Sequence, residues 1–204
     1  MKKSLLLCLT VFSISFLSYA QPQKGLYELG GSVNFSYSKS SKNWYYLSLN
    51  SSISPEFGRF ITDNLVLGGV MGYSFDYYKD PNSNPTSTIY EHGIGLGAYV
   101  TRYFGISDKF YFTITGSLYP KFGTQIKELG SVKSNTNDLS FTLSAYPGLS
   151  YFINSKLAVY CSVGNLYYTG DYFFNSKSMS NAAGLSLSGS SIKLGVKYYF
   201  GGSK

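Results

Sequence analysis

Charge is what this chain has least of. Asp, Glu, Lys and Arg together make up 13% of the 204 residues, about half the 25% usual in a soluble domain. That is too little to cover a water-facing surface. Cysteine is nearly absent: of two, Cys8 lies inside an N-terminal apolar run, which leaves Cys161 alone and excludes an intrachain disulfide. Cys161 falls on an apolar strand face and reads as a small hydrophobe. His92 is the single histidine; with one cysteine on a different strand it makes no metal-ligand set. It also lacks a catalytic partner, because its neighbour Glu91 points to the opposite face of a strand. Past residue 20 there is no run of the roughly 18 apolar residues a membrane helix needs. The sequence therefore contains no catalytic, metal or cofactor-binding residues that can be named, and it reads as non-enzymatic.

Residues 1–20 have the form of a secretory signal peptide. Lys2 and Lys3 precede an apolar stretch from Leu5 to Leu17, and Ser18-Tyr19-Ala20 is a small-x-small cleavage site. The mature chain is expected to begin near Gln21 and to form one domain, residues 21–204, of 204 − 20 = 184 residues. Without Lys2 and Lys3 there are 17 − 2 = 15 basic residues against 10 acidic, a net +5. In a secreted chain this favours anionic surfaces over nucleic acid as partners.

What is abundant is aromatic and glycine: 21 Tyr, 15 Phe and 22 Gly. They are set in alternating strands, the plainest being Tyr27–Ser38, with Leu29, Val33, Phe35 and Tyr37 on one face and Glu28, Ser32, Asn34 and Ser36 on the other. Further strands are predicted at Trp44–Phe60, Leu65–Tyr78, Ile89–Tyr103, Phe110–Phe122, Leu139–Phe152 and Leu157–Tyr168, with the last ending at Phe200. Pro55 suggests a bulge in the second strand, and a phase break near Gly189 suggests another in the last. Short turns at Thr62–Asn64, Ser107–Lys109 and Asn154–Lys156 alternate with four polar loops: Lys39–Asn43, Lys79–Thr88, Gly123–Asn137 and Gly170–Ala183. Gly93, Gly95 and Gly97 alternate along a strand, so they read as packing positions under lumen side chains, not as a dinucleotide loop.

Eight strands of 9–11 residues or more, with loops long on one side and short on the other, predict an all-β, eight-stranded, antiparallel up-and-down transmembrane β-barrel. Aromatics near strand ends would form its two interfacial girdles. The polar faces would meet in a lumen filled by side chains, where charges must pair. Closure sets Glu28 beside Lys197, and pairing around Ser107 is expected to set Glu91 against Lys121. Both are read as structural lumen ion pairs.

The segments SPEFGRFITDNLVLGG, GAYVTRYFGISDKFYF and SIKLGVKYYF resemble the small outer-membrane β-barrel family of OmpA/OmpX-like type, in particular its Bacteroidetes-type members. The resemblance implies a barrel in the outer membrane of a Gram-negative bacterium, with both termini periplasmic. It also implies insertion by the barrel-insertion machinery, contact with outer-membrane lipid, and no active-site residues. A monomer is expected. Lysines in the loops (Lys39, Lys42, Lys79, Lys127, Lys133, Lys177) suit lipopolysaccharide phosphates. The expected role is structural or interactive, through the four long loops. The alternatives are a narrow pore for small solutes and a soluble lipocalin-like binder of an apolar ligand.

Overall fold

Period-2 alternation leaves each strand with one apolar and one polar face, and a closed ring is the way to give both faces a home without leaving edges. A computed structural model of the chain describes residues 22–40, 46–80, 86–187 and 192–202. The proposed signal peptide, residues 1–20, lies outside them. Ten strands are present: β1 (Leu26–Ser40), β2 (Tyr46–Thr62), β3 (Leu65–Asp80), β4 (Ser87–Gly105), β5 (Phe110–Leu129), β6 (Val132–Asn154), β7 (Leu157–Ser162), β8 (Asn165–Phe173), β9 (Ser178–Ser186) and β10 (Lys193–Gly201). Each neighbouring pair is antiparallel, and the contact of β1 with β10 closes an eight-membered ring of β1 to β7 and β10.

The ring has the eight staves expected, but the last two are each split. β8 continues the stave of β7 along β6, interrupted at Val163-Gly164, where Gly164 takes φ +74°. β9 pairs with β8 as β10 pairs with β7. Gly189, where an irregularity was expected, lies outside the described residues. Ser162 pairs with Lys193 and Asn165 with Ser186.

Three expectations are corrected. Pro55 causes no bulge: the register with β1 runs through it unbroken, and the ladder to β3 omits it and resumes in step. Proline removes one donor without adding a residue, so nothing slips. The irregularity in β2 lies instead between Phe60 and Thr62. Next, the third loop is not a loop. β5 and β6 stay paired up to Leu129↔Val132 and turn at Gly130, φ +59°. Likewise the fourth is mostly strand, with Phe173 paired to Ser178 across a tight turn. Polar residues there alternate on a ribbon wet on both faces, which leaves no apolar period to read.

The apolar faces all turn outward. Leu29, Leu67, Met71, Leu96, Leu118 and Val196 are exposed, while the largest fully buried side chains, Tyr199, Phe60, Phe152 and Glu28, point into the ring.

Candidate functional site

The lumen divides into a filled floor and an open upper chamber. At the floor Phe60, Tyr103, Phe152 and Tyr199 pack ring against ring, with centroids 5.0–6.1 Å apart. Such contacts close the short-turn end to solvent. Above them Glu28, 1% exposed, is held from several directions. Lys197 Nζ donates to its Oε1 at 3.0 Å, and Tyr99 OH donates to the same oxygen at 2.8 Å. Tyr103 OH donates to Oε2 at 3.2 Å and is itself 3.2 Å from Tyr199 OH. The Lys197 ammonium also stands 5.6 Å from the Tyr99 ring centre and 5.5 Å from that of Tyr160. A carboxylate with charged and hydroxyl donors around it satisfies the requirement for burying charge.

Glycine makes the room for this cluster. A Cβ at Gly58 would meet Val66, Glu28 and the Tyr99 hydroxyl, and one at Gly68 would collide with the Tyr99 ring. Gly95 serves Tyr119 in the same way, and Gly93 lies under the Lys121 stem. The reading of Gly93 and Gly95 as seats for lumen side chains thus has a definite occupant for each.

Of the two expected ion pairs, the structure brings Glu28 and Lys197 together and leaves Glu91 and Lys121 apart. The β4–β5 hairpin closes at Gly105↔Tyr111, so Glu91 faces Gln125 while Lys121 faces Gly95, four positions further down. The hairpin is centred on Asp108, whereas Glu91 opposite Lys121 needs a centre at Ile106, and each residue of displacement moves the partner by two. Lys121 instead sits in the attractive field of Asp76 and Asp138, and both carboxylates feel repulsion from Glu91.

The lumen is also less packed than expected. A cavity of about 380 Å³ opens above the floor, lined by Ser54, Glu56, Tyr119, Tyr146, Asn165 and Lys193 among others. A smaller one of about 100 Å³ reaches down toward Lys197. The upper lumen positions are largely serine, and such short side chains leave the centre empty.

His92 lies on the outer face, where Tyr73 OH is 2.9 Å from its Nδ1 and the Phe75 ring lies 4.9 Å away. Among the described residues no group of three His, Cys, Asp or Glu side chains is placed to hold a metal ion. Missed by sequence reasoning were Tyr99, Tyr103 and Tyr199, each on the lumen face by parity but unremarkable among so many tyrosines.

No protein-family model matches this chain, and no curated protein matches it in sequence. Among solved structures it is similar to a major outer membrane protein from Thermus thermophilus. That match has 10% identity and a TM-score of 0.49, covering 87% of this chain and 100% of that one. It also matches the ferric yersiniabactin uptake receptor FyuA from Yersinia pestis at 13% identity and a TM-score of 0.29. There 80% of this chain aligns with 27% of the receptor, so it spans about a quarter of that protein's length.

Proposed function

We propose that this protein is a non-enzymatic, integral outer-membrane β-barrel of the small OmpA/OmpX-like kind, acting through its extracellular ribbons. The observation that carries the reading is the inversion of its surfaces: a closed ring with apolar side chains outside and charged and hydroxyl groups inside. A lipocalin-like carrier has the reverse arrangement. Stacked Tyr27, Phe57 and Phe200 at the short-turn end and the Tyr77–Tyr90 pair at the other supply the two aromatic girdles. Arg59 and Arg102 sit beside the lower girdle, over Tyr27 and near Phe104. In this orientation both termini are periplasmic, and Lys79, Lys127 and Lys177 are carried toward lipopolysaccharide phosphates. His92, among outward aromatics, supports an interfacial role and not a general base.

Extracted from membranes and run in SDS, unboiled protein is expected to migrate faster than boiled protein. One band in both lanes, with the protein in the soluble fraction, would sink the membrane reading. A narrow pore is the weaker reading, because the aromatic floor blocks the lumen. Planar-bilayer recordings are expected to show no steady conductance, and a large stable one would reverse that ranking.

A further inference from the structure

Among the described residues the ring is closed along only part of its height. β1 pairs with β10 from Leu26↔Gly201 to Leu29↔Tyr198, and there the ladder stops, although both strands run on, β1 up to Ser40 and β10 back to Lys193. Gly31 marks the parting. Its φ is +140°, and a Cβ there would lie 2.5 Å from the Ser54 carbonyl oxygen and 2.8 Å from Pro55 Cα. Beyond it Ser32–Tyr37 are exposed on both faces, although their β2 partners Ser52 and Ser54 are half-buried. Val33 is 78% exposed and Leu194, which continued pairing would set beside it, 74%.

Two further facts say what the opening faces. On the outside its borders are Val33 and Phe35 of β1 and Leu194 and Val196 of β10, all apolar. They lie above the Tyr27 girdle within the 9–11 residues a strand needs to cross a bilayer, and so at the depth of the outer leaflet. On the inside, Ser32 and Lys193, one from each border, line the cavity of about 380 Å³. Unpaired backbone at membrane depth is tolerated where it is buried in protein or lines a polar cavity.

Resting on the outer-membrane reading, we propose that the parted seam is a lateral portal through which the head of a zwitterionic phospholipid enters the cavity. Its tails stay outside, along Val33 and Leu194. The chemistry of the lining selects the head. Glu28 already compensates Lys197, while Glu56 and Lys193 make no ion pair among the described residues and offer one charge of each sign. An ammonium therefore has Glu56 to meet and a phosphate has Lys193. Serine, asparagine and tyrosine hydroxyls and amides complete the hydrogen bonds. The volume is within the 300–1,000 Å³ range of ligand pockets.

The test uses the full barrel in vesicles of mixed phosphatidylethanolamine and phosphatidylglycerol, in a Cys161→Ala background. Val33→Cys/Leu194→Cys probes the seam, and Val33→Cys/Ile53→Cys, at strand partners, is the control. The control pair should oxidise within the chain at least about tenfold faster, because disulfides need Cα atoms within about 7 Å. Native mass spectrometry should find phosphatidylethanolamine retained in preference to phosphatidylglycerol, and Glu56→Gln/Lys193→Gln should abolish the preference. Equal oxidation of the two pairs would mean a zipped wall and overturn the portal. A disulfide between two chains at Val33 would assign the edge to a second copy and overturn it too. An open seam without lipid preference would remove the ligand assignment. Each variant is first checked for its faster unboiled band, so failure of the membrane reading shows separately.

Discussion

Replacing Glu28 with alanine is expected to lower the stability of the barrel by about 3–5 kcal/mol, the usual effect of stranding a buried charge. Lys197 would keep its ammonium inside the wall without its hydrogen-bonded carboxylate, and the tyrosines around it would lose the anion that orders them. Urea titration of the unboiled band in vesicles measures this. Glu28→Gln/Lys197→Met should recover most of the loss, since removing both charges removes the mismatch. Lys133→Ala supplies the baseline. Its partner Glu128, 3.1 Å away, lies with it on the exposed ribbon, and such pairs contribute about 0–1 kcal/mol. Similar losses for Glu28→Ala and Lys133→Ala would refute the lock.

The second large effect separates lipid from water. Leu96 and Val132 are almost equally exposed, 69% and 68%. Exposure alone therefore predicts equal tolerance of arginine at the two positions. Leu96 lies midway along β4 between the girdle residues Tyr90 and Phe104, whereas Val132 lies at the tip of the β5–β6 ribbon. Leu96→Arg is expected to cost about 2–4 kcal/mol, as at a bilayer midplane, and Val132→Arg close to nothing. Refolding into vesicles, followed by denaturant titration, gives both values. A Leu96→Arg barrel as stable as the parent would mean that this face meets water.

How much of this was legible depended on whether a feature was carried by parity or by register. Which way Leu29, Phe35 or Glu28 points follows from alternation, and each points as read. The Glu28–Lys197 contact was legible because the two ends of the chain must meet if the ring closes at all. Glu91 and Lys121 required a register, and a register depends on where a turn is centred. The residues Ile106 to Lys109 admit more than one centre, so that pairing was not recoverable. The outer ribbons were read as loops because Lys133, Ser134, Asn135 and Asn137 carry no apolar period, though backbone pairing continues through them. The parted seam left no trace at all. Val33, Phe35, Leu194 and Val196 alternate just as they would in a zipped wall, and only the unpaired ladder distinguishes the two.

The lock at Glu28 joins groups 169 positions apart, near the two ends of the described chain. Its anion is translated among the first residues of the barrel and its cation among the last. Until β10 arrives, every partly assembled sheet carries a carboxylate whose counter-charge is still missing. Burying it early is penalised by desolvation, and that penalty disappears when the final strand docks. The contact thus favours the completed sheet over any partly assembled one.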